Sequence, residues 1–133
     1  MSFKILLWFA FFSVALAPVL PAQNKTNLDS DSLRTIKLEI KILDTISHLR
    51  EVKQRNAYVI KHSKHQRQLK YIIWSKPSNS EPFYWVKVVE DNGIADYTHF
   101  NFFVYPYTLT IKYFDTNDDK EIDLKTWRRK MNK

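Results

Sequence analysis

The spacing of apolar residues changes once along this chain, and that change constrains the fold more than any motif does. From Leu33 to Val52 the apolar side chains recur at helical intervals. Ile36, Ile40, Leu43 and Ser47 share one stripe, and Ile42, Ile46 and Leu49 share another. Ile36, Leu38, Ile40 and Ile42 also alternate with Lys37, Glu39 and Lys41, which is the period of a strand. Length decides between the two, because the pattern runs for about twenty residues, too long for a typical strand, with no Gly or Pro to break it. The expectation is a helix from Asp31 to Leu49, continuing or restarting through Glu51 to Ile60. Asp29, Ser30 and Asp31 are its candidate N-caps.

Beyond His62 the period becomes that of strands. Leu69 to Trp74 is β-branched and aromatic, and Phe83 to Glu90 alternates before Asp91-Asn92-Gly93, a strong hairpin signal. Thr98 to Tyr105 returns, Pro106-Tyr107 turns, and Leu109 to Phe114 makes a last strand before the turn at Asp115 to Asp119. Leu124 to Lys130 has room for a short C-terminal helix. The predicted fold class is α+β: an amphipathic N-terminal helix packed on one face of a four-stranded antiparallel meander.

Composition narrows the chemistry. The 133 residues contain no cysteine, which excludes a disulfide scaffold, a thiol nucleophile and a thiolate zinc site. The single glycine, Gly93, excludes glycine-rich phosphate loops. Met1 to Lys4 is short and cationic, Ile5 to Leu16 is almost wholly apolar, and Leu20-Pro21-Ala22 ends the run on a small residue. That is the pattern of a secretory signal peptide, and the run is too short for a membrane span of roughly 20 residues. The expected organisation is a signal peptide over 1–22, a polar leader over 23–30 and one α+β domain over 31–133, secreted or periplasmic, with no transmembrane segment after cleavage. Lys4 leaves with the signal, so 20 basic residues face 14 acidic ones, a net charge of +6. Export and the dispersal of the lysines and arginines argue against nucleic acid as the partner.

An N-terminal helix laid on a four-stranded meander behind a signal peptide resembles the cystatin-like roll. It is also similar to small bacterial envelope proteins and to PepSY-type domains. The residues carrying the resemblance are Glu81-Pro82-Phe83-Tyr84-Trp85-Val86-Lys87-Val88, Glu90-Asp91-Asn92-Gly93, Phe100-Asn101-Phe102-Phe103-Val104-Tyr105-Pro106 and Ile122-Asp123-Leu124 to Trp127-Arg128. The resemblance implies a binding module without chemistry or cofactors of its own. Cystatin inhibitors use a glycine near the N-terminus and a glutamine-glycine hairpin loop, and this chain has neither, so protease inhibition does not carry over.

Alternation assigns the two sheet faces. Tyr84, Val86 and Val88, Phe100, Phe102 and Val104, and Leu109, Ile111 and Tyr113 are expected to face the helix. Trp85, Lys87 and Val89, His99, Asn101, Phe103 and Tyr105, and Thr110, Lys112 and Phe114 are expected on the other face. Large aromatics mixed with polar groups on a sheet face suggest a binding surface. The competing reading is cross-strand pairing that stabilises a half-exposed sheet, or coverage by the C-terminal segment through Trp127. The candidate binding residues are Trp85, Lys87, His99, Asn101, Phe103, Tyr105 and Lys112, in an exported, non-enzymatic module for a protein, peptide or glycan of the cell envelope.

Two further classes stay open. Asp115, Asn117, Asp119 and Asp123 imitate the oxygen donors at positions 1, 3, 5 and 9 of a calcium loop. Lys120 stands where the turn glycine belongs and Thr126 where the bidentate glutamate belongs. A calcium-stabilised structural protein is therefore the second reading. A small secreted hydrolase is the third, because carboxylates distant in sequence can meet in space.

Overall fold

The computed structural model describes residues 25–132, with side chains described from Asp29 onward. The expected signal peptide lies outside the described residues. Two helices, α1 (Lys25–Ser47) and α2 (Arg50–His62), precede five strands: β1 (Leu69–Ser75), β2 (Tyr84–Asp91), β3 (Asp96–Tyr105), β4 (Thr110–Asp115) and β5 (Lys120–Asp123). A last helix, α3 (Leu124–Met131), follows directly. The strands form one antiparallel sheet in sequence order, β1 to β5.

The helical reading of Leu33 to Val52 holds, but the helix restarts rather than continues. Leu49, the residue preceding α2, adopts extended backbone (φ −60°, ψ 135°), and the last turn of α1 closes on itself through Ser47 Oγ donating to the Asp44 carbonyl at 2.7 Å. At the other end, α1 includes Lys25 to Ser30, read above as part of a loose leader, so Asp29, Ser30 and Asp31 lie within the helix instead of capping it.

The sheet has five strands where four were expected. Lys120 to Asp123 is short and polar apart from Ile122, so its sequence carries almost no alternation. Pairing with β4 in the register Tyr113↔Ile122 makes it a strand. As a four-residue edge strand with charged side chains it offers little to an incoming chain.

The inner sheet face follows the alternation. Tyr84, Val86, Val88, Phe100, Phe102 and Val104 join Ile42 and Ile46 of α1 and Val52 and Val59 of α2 in one core, flanked by Tyr71, Ile73, Ile111, Tyr113 and Ile122. Trp127 of α3 also enters this core. Its ring stacks on Tyr113 with centroids 4.5 Å apart and meets Phe100 and Phe102 edge-on, both at 5.7 Å. Coverage of the outer face through Trp127 is thereby corrected: all three helices contribute to the inner face.

Gly93 sits where the β2–β3 turn needs a left-handed residue, at φ +86°. The Asn92 side chain completes that turn, accepting from the backbone N–H groups of Ile94 at 3.0 Å and Ala95 at 2.9 Å. Asp123 caps α3 by accepting from the Thr126 N–H at 2.9 Å and the Thr126 hydroxyl at 2.6 Å. These Thr126 bonds hold the Asp123 carboxyl below its ordinary pKa.

One charged contact joins α2 to the last helix. Glu51, 5% exposed at the start of α2, accepts from Arg128 Nε at 2.8 Å and from a terminal guanidinium nitrogen of Arg128 at 3.2 Å. Arg50 adds a third bond at 3.1 Å. Burial alone would push the Glu51 carboxyl up, but the arginines outweigh it and its pKa lies below the ordinary value. Its contribution to stability is therefore complete above the unfolded value of about 4.3 and is lost as pH falls through the lower folded value. Arg128→Met is expected to cost about 2 kcal/mol at neutral pH by removing two of the three bonds to a buried carboxylate and leaving Arg50 as its remaining cation. In urea titrations the loss is expected to shrink below about pH 4, where the carboxyl of the variant takes a proton. An equal loss at both pH values would assign the effect to packing instead.

Candidate binding face

The outer face is built around Phe103, near the end of β3. Phe83 stacks on its ring at 4.0 Å and Phe114 of β4 at 4.7 Å. Trp85 of β2 meets Phe103 edge-on at 5.6 Å and Phe114 edge-on at 5.5 Å. These neighbours leave Phe103 only 8% exposed. The register explains the assembly, because Trp85 lies directly opposite Phe103 and Phe103 opposite Lys112. Asn101, two residues before Phe103 and therefore on the same face, accepts from the Trp85 indole N–H at 3.0 Å, which fixes that ring.

Two charged groups border the aromatic cluster. Lys87 lies over the ring of Trp74, with its ammonium 3.3 Å from the centroid and 5.2 Å from that of Trp85. A cation between two indoles contributes on the order of 1 kcal/mol where water is near, and Trp74 is 59% exposed. At the opposite border Glu121 of β5 accepts from the Tyr105 hydroxyl at 2.7 Å and from the Lys112 ammonium. Lys112 also lies 5.2 Å from the Tyr105 ring centroid. The bond to Glu121 raises the pKa of Lys112. Burial pushes Glu121 up, but its bonds to Lys112 and Tyr105 prevail and the carboxyl titrates below its ordinary range. Burial, then the bond to Glu121, raises Tyr105.

Six of the seven predicted residues thus fall on one face: Trp85, Lys87, Asn101, Phe103, Tyr105 and Lys112. His99 does not join them. A β-bulge makes Val88 pair with Phe100 and the next residue, Val89, pair with Thr98, leaving His99 as the extra residue of β3. Its Nε2 lies 2.8 Å from Glu90, which also binds Arg67 at 2.9 Å. Its side chain is 11% exposed and makes an internal contact near the β2–β3 hairpin, apart from the aromatic cluster. Strict alternation across Thr98 to Tyr105 missed this because a bulge leaves no trace in side-chain type.

Trp74, Phe83 and Glu121 were not named as site residues. Trp74 is the extra residue of a second irregularity, between Ile73, opposite Val86, and Ser75, opposite Trp85, so alternation through β1 does not place it either. Glu121 was hidden with its unforeseen strand. The acidic segment folds as the β4–β5 hairpin. Asp115 pairs with Lys120, whereas Asp123 pairs with Lys112, three positions or about 10 Å along the ladder from Asp115. Asp115 accepts from the Asn117 N–H at 3.1 Å and faces Lys130 at 3.8 Å, Asp119 takes a left-handed backbone at φ +51°, and Asp123 is committed to capping α3. Among the described residues, no group of three or more histidine or carboxylate side chains is placed to hold a metal ion.

No family model matches the chain, and no curated protein or solved structure matches it.

The cluster divides into a supporting centre and a presented border. Phe103→Ala is expected to cost about 3 kcal/mol in chemical denaturation, as a buried aromatic does. Trp74→Ala is expected to stay within about 1 kcal/mol, because it loses only an exposed stack on Lys87. Equal losses at the two positions would mean that Trp74 is part of the core.

Proposed function

We propose that this chain is an exported, non-enzymatic binding module whose outer sheet face receives a protein, peptide or glycan of the cell envelope. The observation that carries this reading is Trp74: a large aromatic more than half exposed beside Lys87 and Trp85, on the sheet face to which none of the described helices contributes core residues. Rigid aromatic anchors next to a cation supply contact area at little conformational cost, and the pair Lys112 and Glu121 supplies charge and hydrogen bonds at the other border. The signal-like segment over 1–22 supports export, and the helices-on-meander arrangement, though extended by a fifth strand, resembles the cystatin-like roll. Among the described residues, no helix is long and apolar enough to cross a membrane.

The test is affinity capture of envelope and extracellular material on the tagged chain at low and high salt, with Trp74→Ala and Lys87→Ala alongside. Trp74→Ala is a cleaner probe than a change at Trp85, which is also packed against Phe103 and Phe114. The expected result is a partner retained at high salt whose affinity falls roughly tenfold with Trp74→Ala, or about 1.4 kcal/mol. Capture lost at high salt in the parent chain would reduce the interaction to net charge, and capture indifferent to both variants would remove the aromatic face from the account.

A further inference from the structure

The two edges of the sheet are unlike. β5 is short and charged, whereas β1 presents Tyr71, Ile72, Ile73 and Trp74 in succession at the opposite edge. The Leu69 N–H donates to the Asn56 side chain at 2.8 Å, away from the ladder to β2. Along an antiparallel pair the direction of the backbone groups alternates from one residue to the next. Lys70 and Ile72 therefore bond to β2, and Tyr71 and Ile73 turn their N–H and C=O groups to the open edge. Among the described residues, no loop, helix or side chain receives these four groups. The open stretch is bounded at both ends. Lys70 is held by Asp91 at 2.7 Å, and the irregularity between Ile73 and Ser75 breaks the ladder beyond them. Charges and bulges restrict open-ended pairing and leave a window for one short strand.

A cation stands beside this window. Lys87 reaches from β2 to the Trp74 ring of the edge strand, with its ammonium 3.3 Å from the centroid, and an added strand lies one spacing further out, about 4.8 Å. Lys70, Lys76 and Lys112 each pair with a carboxylate, but Lys87 pairs with none among the described residues.

We propose that the partner at the Trp74 border is an extended peptide segment that pairs with the free edge of β1 and sets a carboxylate against Lys87, an assignment that rests on the binding role proposed above for that border. Main-chain bonds to Tyr71 and Ile73 supply affinity without regard to sequence. Alternate side chains of the added strand fall on the outer face beside Ile72 and Trp74, where an acidic one meets Lys87 and an apolar one meets the exposed indole.

The test selects a displayed library of random heptapeptides on the purified chain and then uses the enriched peptide as a synthetic probe. Enrichment of Asp or Glu and binding in the micromolar range are expected. Lys87→Ala should weaken binding roughly tenfold, with a thermal melt like the parent's to show that the variant folds. Amide hydrogen exchange read by NMR locates the probe. In the free chain Tyr71 and Ile73 should exchange rapidly and Ile72 slowly, and the probe should slow the first two roughly tenfold or more. Methylating alternate backbone nitrogens of the probe should abolish binding in one phase only, because the other phase faces solvent. A bound probe that leaves exchange at Tyr71 and Ile73 unchanged, or methylation phases that behave alike, would overturn strand addition. The capture that depends on Trp74 would survive that result, and its own failure would instead remove the aromatic border. Binding indifferent to Lys87→Ala would overturn the acidic requirement, and a library that enriches no peptide would overturn the proposal outright.

Discussion

The buried carboxylate of Glu51 is held ionised by two arginines, its neighbour Arg50 and, 77 residues away on the last helix, Arg128, which supplies two of its three bonds. Docking of α3 therefore completes the seating of α2. Arg128 reaches Glu51 only when α3 lies across the sheet, and in that position its neighbour Trp127 stacks on Tyr113 and closes the β4 side of the core. Asp123 fixes where the helix begins, by capping it directly after β5. An ion pair of this kind contributes little net stability compared with an apolar substitute, but a half-broken one is costly. Its effect is to exclude arrangements in which the C-terminal segment leaves the inner face for the outer one.

That exclusion leaves the outer aromatics to stabilise themselves. Phe83, Phe103, Phe114 and Trp85 bury one another by stacking and edge-on contacts, and Asn101 satisfies the indole N–H. Cross-strand pairing and a binding role were set against each other as rival explanations of this face. Pairing accounts for Phe103 and Phe114, while Trp74 borders the cluster more than half exposed and the half-buried Lys87 and Tyr105 are engaged with Trp74 and Glu121. Because the border rests on a packed centre, it is held in place without help from a ligand, which lowers the ordering cost of binding.

How much of this was legible depended on whether a residue's side chain records its conformation. Val86, Val88, Phe102 and Val104 are β-branched or aromatic residues alternating with polar or outward ones, so their strand and their face could be read directly. The two-stripe pattern of α1 was equally readable, but which stripe meets the sheet is a tertiary choice that local sequence does not encode. Leu49 carries no mark of the extended backbone that ends the first helix and starts the second. His99 looks like any outward residue of β3, and only the pairing of Val89 with Thr98 reveals the bulge that turns it toward Glu90. The donors from Asp115 to Asp123 matched a calcium loop in order but not in space, since β5 becomes a strand only through its hydrogen bonds to β4.

The same division explains why the two sheet faces differ in what they tolerate. The inner face is closed by all three helices, with Trp127 seated among Phe100, Phe102 and Tyr113. A change there is felt by several elements at once, whereas Trp74, 59% exposed beside Lys87, can change without opening the core.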